Sequence, residues 1–82
     1  MTVYEFELLP LEEQVHMLYM HGVYIGKRKG TQFTRLLFQL ESFYVEIVYS
    51  RYRQLINQMR YSDSTEILDT YLGQIQVEPL MM

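Results

Sequence analysis

Between Val23 and Tyr49 the chain reads VYIGKRKGTQFTRLLFQLESFYVEIVY, and this stretch constrains the fold more than any other. Its apolar residues alternate with a period of two, the repeat of a β-strand. The alternation leaves large apolar side chains on both parities. One face of such a sheet can be a core, and the other then also needs cover.

Two turn signals divide the stretch. Lys29-Gly30-Thr31-Gln32 reads as one turn and Glu41-Ser42 as a tighter one. A two-residue turn at Glu41-Ser42 pairs Leu40 with Phe43, Phe38 with Val45 and Leu36 with Ile47. A turn centred on Gly30 and Thr31 pairs Ile25 with Leu36 and Val23 with Phe38. Both hairpins then place Val23, Ile25, Leu36, Phe38, Leu40, Phe43, Val45, Ile47 and Tyr49 on one side. A one-residue slip in either would scramble that set. Residues 51–61 are read as a fourth strand that adds Leu55, Met59 and Tyr61 to this face. A helix carrying Tyr52, Leu55, Ile56 and Met59 is the alternative.

Helices flank the sheet. Pro10 suits a first helical position, Glu12 and Glu13 suit a first turn, and Leu11, Val15, Leu18 and Tyr19 form a stripe. The spacing predicts a helix over 10–21, ended by Gly22 in a left-handed cap. Residues 1–9 form an N-terminal arm, in which residues 3–8 are either irregular or a short helical turn. A second helix is expected over 63–73, with Asp63 and Glu66 as a capping box and Ile67, Leu68, Tyr71 and Leu72 as its apolar stripe. Residues 74–82 form a tail. The expectation is an α+β fold of one domain over residues 1–82: a two-layer, four-stranded antiparallel meander of order α-β-β-β-β-α, with two helices packed on one face. With 82 residues, such a chain buries only about 60–65% of its unfolded surface, so its stability margin is thin.

Charge and composition narrow the function. Net charge is −3, which does not favour general nucleic-acid binding. Residues 1–22 carry four acids and no Lys or Arg, and residues 23–40 carry four basic residues and no acid. There is no cysteine, hence neither a disulfide nor thiol chemistry. No apolar run reaches the ~18–20 residues of a membrane span, and the first residues lack the features of a signal peptide. A soluble, cytoplasmic protein is expected.

Catalytic and cofactor signals are weak. His16 and His21 lie five residues apart on one helix, about 140° around it, so they cannot chelate together. Glu13 and His16 match a Glu-x-x-His pattern, but on the solvent side and in a single copy. Nucleophile elbows and dinucleotide or P-loop glycine motifs are missing. Gly26-Lys-Arg-Lys-Gly30 lacks the strand–loop–helix setting of a phosphate loop and reads as a solvated hairpin tip. Neither an enzyme nor a cofactor or metal site is expected.

The second sheet face carries the functional expectation. Tyr24, Phe33, Leu37, Tyr44 and Val48 would stand there as an aromatic-rich patch of several hundred Å2. The main reading is an interaction protein that forms a homodimer or docks on a protein partner through these five residues. In that register Leu37 stands opposite Glu46, and Arg35 is a diagonal neighbour that could pair with Glu46. A competing reading lets the chain's own ends cover the face, through Phe6, Leu8, Leu9, Ile75, Val77 or Leu80. Two other functions are weighed. Lys27, Arg28, Lys29 and Arg35, with Tyr24 and Phe33, could form a basic aromatic platform for nucleic acid, though charged strands more often guard a sheet against edge pairing. A small-ligand site at a dimer interface is the third.

The segments Leu9-Pro-Leu-Glu-Glu-Gln14, Gly22, Gly26-Lys-Arg-Lys-Gly30 and Phe43-Tyr-Val-Glu46 resemble those of small uncharacterised bacterial proteins of similar length. The resemblance spans most of the chain and implies a bacterial, intracellular single domain. It carries over no site residue.

Overall fold

The computed structural model describes residues 1–52 and 55–71. The order is α1 (Val3–Glu7), α2 (Leu11–His21), β1 (Val23–Lys29), β2 (Phe33–Leu40), β3 (Phe43–Ser50) and β4 (Ile56–Ser62). Residues 67–71 are again helical. The fold is α+β, and its four-stranded antiparallel sheet has the order β1-β2-β3-β4. Residues 51–61 therefore contribute a strand, as read from the sequence. The expected tail 74–82 and the last two residues of the expected second helix lie outside the described residues.

The β2–β3 hairpin has the expected register at every pair, from Leu40↔Phe43 to Leu36↔Ile47 and Leu37↔Glu46. A two-residue turn leaves little freedom, and Glu41 takes the left-handed conformation it needs, with φ 54°. The β1–β2 hairpin differs. Its turn sits further along, with Lys29↔Thr34 as the last pair, so Lys27 rather than Ile25 faces Leu36. An irregularity between Tyr24 and Gly26 then exchanges the two faces of the strand. Tyr24 comes to lie against Phe38 on the first face, with ring centroids 5.7 Å apart. Ile25 joins the second face, and Val23 is exposed. A similar irregularity opposite Val48 and Tyr49 brings Ile56 into the core and leaves Leu55 exposed.

Both faces of the sheet are filled. On the first, Phe38, Leu40, Phe43, Val45 and Ile47 pack with Phe6 of α1 and Leu18 of α2. Thr2 and Glu5 form a capping box that makes a helix of the N-terminal arm. Phe6 then packs 5.6 Å from Phe43 and 6.0 Å from Tyr61, centroid to centroid. Gln14, not an apolar residue, completes the buried stripe of α2. Its Nε2 donates to the carbonyls of Glu7 and Leu9, and its Oε1 accepts from the Tyr61 hydroxyl at 2.7 Å. Leu11 and Tyr19, placed on that stripe from sequence, are exposed. Gly22 ends α2 in extended rather than left-handed backbone. Glycine is required there for space, because a Cβ would stand 2.6 Å from the Leu18 carbonyl oxygen.

The second face is where the expected layering fails. Ile67, Leu68 and Tyr71 cover Leu37 and Tyr44 together with Ile25. The helices thus lie on opposite faces, α1 and α2 on one and residues 67–71 on the other. The reason is steric as well as chemical. α1 occupies first-face area that two helices alone would have shared, and the apolar even positions of β3 need the remaining stripe. The cap of this turn also differs from the expected one. Ser64 Oγ, not Asp63, accepts the Glu66 N–H at 3.2 Å, and Ser62 Oγ accepts that of Ser64 at 3.1 Å.

Phe6 joins α1 to the sheet with no exposed surface. Phe6→Ala is expected to cost about 3–4 kcal/mol through lost burial and the cavity left behind. Urea unfolding followed by circular dichroism measures it, and a cost below about 1 kcal/mol would mean that α1 does not dock here.

Candidate functional site

The most unusual residue of the second face is Glu46, which is 2% exposed among apolar neighbours on β3. Strand pairing aligns Gly26, Leu37, Glu46 and Arg60 in one row across the sheet. The adjacent row is Arg28, Arg35, Val48 and Gln58. A buried carboxylate is costly unless it is paired and hydrogen-bonded. Glu46 has both kinds of partner. Its Oε1 lies 3.5 Å from Arg60 Nη1, and its Oε2 accepts a hydrogen bond from the Tyr71 hydroxyl. The ion pair therefore forms with Arg60, directly opposite on β4, and not with Arg35 on the diagonal.

Gly26 makes room for Tyr71. A Cβ at Gly26 would stand 3.3 Å from Tyr71 Cδ2, tighter than most contacts of that kind. The Tyr71 ring lies over this gap, and Arg28 Cζ stands 5.6 Å from its centroid, within cation–π range. Burial pushes the Tyr71 hydroxyl well above the ordinary tyrosine range, and its bond to Glu46 pushes it further, against the opposing pull of Arg28 and Arg35. The hydroxyl therefore remains a proton donor to the carboxylate. Beside this pair opens a cleft of about 380 Å3, lined among others by Arg28, Glu46, Arg60, Glu66, Ile67 and Thr70.

The residues singled out from sequence are divided by this arrangement. Leu37, Tyr44 and Val48 are buried in the chain's own interior, so the docking face expected from Tyr24, Phe33, Leu37, Tyr44 and Val48 is not open. Phe33 is half-buried and pairs with Ser50, and Tyr24 lies on the other side of the sheet. The basic platform is divided as well. Lys27 and Lys29 are exposed, whereas Arg28 and Arg35 are half-buried on the second face near Tyr71, away from Tyr24. Glu13, His16 and His21 are exposed, and among the described residues no three acids, histidines or cysteines stand close enough to hold a metal ion. No described helix is long and apolar enough to cross a membrane.

Sequence reasoning missed Tyr71 and Arg60 as partners of Glu46. The available signals were an acid between Tyr44 and Val48 in an apolar strand, and a glycine within β1. No family model, curated protein or solved structure matches the chain, so the resemblance to small bacterial proteins gains no support from comparison.

Tyr71→Phe removes one donor from a buried carboxylate and is expected to cost about 1–3 kcal/mol. It should also alter the alkaline limb of stability. A tyrosine whose native pKa is raised stabilises fully below its unfolded pKa of 10, and that contribution is lost as pH rises through the native value. Tyr49, half-buried and hydrogen-bonded to Tyr19, is pushed up to about 12 and acts in the same direction. Stability of the wild type should fall above about pH 10, with a slope of up to ~1.4 kcal/mol per pH unit for each such group. Tyr71→Phe should flatten the fall measured by denaturant titration from pH 9 to 11, and an unchanged slope would count against the burial of the Tyr71 hydroxyl beside Glu46.

Proposed function

We propose that this chain is a small cytoplasmic interaction protein that self-associates through the exposed edge formed by the end of α2 and by β1. The observation that carries this reading is an apolar cluster. Tyr19, Met20, Val23 and Tyr24 are each 55–63% exposed, and the rings of Tyr19 and Tyr24 both pack edge-on against Phe38. Four such side chains expose on the order of 400 Å2, a size at which patches on small proteins are often contact sites. The cluster borders β1, which among the described residues is an outer strand of the sheet and presents a backbone edge. A second copy is the occupant that fits. Antiparallel pairing of two β1 edges is self-complementary and closes as a two-fold dimer. It also brings Lys27 and Lys29 of one copy beside the C-terminal end of α2 in the other, where the helix dipole favours cations. An interface of this size supports a weak dimer, with Kd on the order of tens of micromolar.

Sedimentation velocity from about 10 µM to about 1 mM tests the proposal. The wild type is expected to shift from monomer to dimer across this range. Tyr24→Glu should remain monomeric with an unchanged circular dichroism spectrum, since Tyr24 is more than half exposed. A wild type that is monomeric throughout, or a Tyr24→Glu variant that assembles like it, overturns the reading.

A further inference from the structure

Leu8 is 85% exposed, more than any other large apolar side chain among the described residues, and Tyr4 is 72% exposed. The two stand four residues apart, on the outer side of α1 and its cap, because Phe6 turns the other side into the core. Leu11, also exposed, follows at the first position of α2. These three side chains expose on the order of 400 Å2 of apolar surface. The corner that carries Leu8 is held from within. Buried Gln14 donates from Nε2 to the carbonyls of Glu7 and Leu9, on either side of Leu8, at 3.3 and 3.0 Å. The amides of Leu8 and Leu9 close the turn onto the carbonyls of Glu5 and Phe6. An apolar side chain on backbone fixed in this way loses little freedom on binding, as an interface anchor should.

The charges around the corner have one sign. Glu5, Glu7, Glu12 and Glu13 are exposed beside these residues in the chain, and residues 1–22 hold no Lys or Arg. Glu5 accepts the Thr2 N–H of the capping box. The carboxylates of Glu7, Glu12 and Glu13 form no ion pair among the described residues. We propose that this corner docks a basic amphipathic helix of a different protein, with Tyr4, Leu8 and Leu11 against its apolar stripe and the acids against flanking Lys and Arg. Charge decides the occupant. A second copy meeting the corner patch to patch would set four acids against four acids, which like-charge repulsion opposes. Contact with Lys27 and Lys29 of another copy would run head to tail and continue into an open chain. A partner of opposite charge is held by apolar burial and drawn in by long-range attraction. A helix is the form that fits, because Tyr4 and Leu8, one helical turn apart, make a short ridge that can seat between the side chains of another helix. None of these residues belongs to the Tyr19–Tyr24 cluster, so the contact is independent of self-association.

Titrating the full-length 15N-labelled chain with a peptide of leucine and lysine, about 14 residues long and apolar at helical spacing, tests the proposal. A peptide of leucine and glutamate in the same pattern is the comparison. Saturable amide shifts at Tyr4, Glu7, Leu8 and Leu11 are expected with the basic peptide and not with the acidic one. Leu8→Ser, at a side chain outside the core, should weaken binding about tenfold or more. Glu7→Gln combined with Glu12→Gln should weaken it about threefold or more at low salt and by much less at about 0.5 M salt. Tyr52→Ser removes a comparably exposed apolar side chain elsewhere and should leave binding unchanged. Shifts that do not saturate, that the acidic peptide reproduces, that centre on Tyr19 and Tyr24, or that Leu8→Ser and Tyr52→Ser weaken equally would overturn the docking surface.

Discussion

Every side chain from Phe43 to Val48 is buried, and a strand with both faces buried requires cover on both. The rest of the architecture answers this requirement. Phe43, Val45 and Ile47 face α1 and α2, while Tyr44, Glu46 and Val48 face away from them. The second cover is short. Ile67, Leu68 and Tyr71 provide it among the described residues, and a chain of 82 residues has few others to spare. The thin stability margin of so small a domain makes each of these contacts count.

The polar residue in the middle of β3 gives the second cover its alignment. Apolar packing is non-directional, so Ile67 and Leu68 alone would hold the turn against the sheet without fixing its position. The Tyr71–Glu46 hydrogen bond is directional, and it is satisfied only where Gly26 lets the ring approach. Arg60 completes the carboxylate's partners from the neighbouring strand. Gln14 plays the corresponding part on the first face, tying the α1–α2 connection to Tyr61 of β4. Each layer is thus placed by one buried polar group and stabilised by apolar neighbours.

How far the sequence foretells this structure follows from the range of each signal. The β2–β3 register was legible because the Glu41-Ser42 turn is too short to slip. The register of β1 was not, because a strand irregularity beside Gly26 changes parity with no strong local mark. That one shift moved Tyr24 from the second face to the first and left Val23 exposed, beside Tyr19 and Met20 at the end of α2. The short helix α1 could have been read from Thr2 and Glu5, whose spacing is that of a capping box. The side taken by residues 67–71 could not, since an apolar stripe of Ile67, Leu68 and Tyr71 suits either face. Arg60 and Tyr71 became visible as partners of Glu46 only through contacts distant along the chain.

The closure of the second face by the chain's own residues 67–71 is the claim on which the site, the cleft and the displaced contact surface all rest. Nuclear Overhauser contacts of the Tyr71 ring test it most directly. The account predicts cross-peaks from the Tyr71 ring protons to the Gly26 Hα protons and to the Leu37 methyl groups, with the Gly26 Hα signals shifted by the ring current. A Tyr71 ring at random-coil shifts with no contact to β1 or β2 would contradict it.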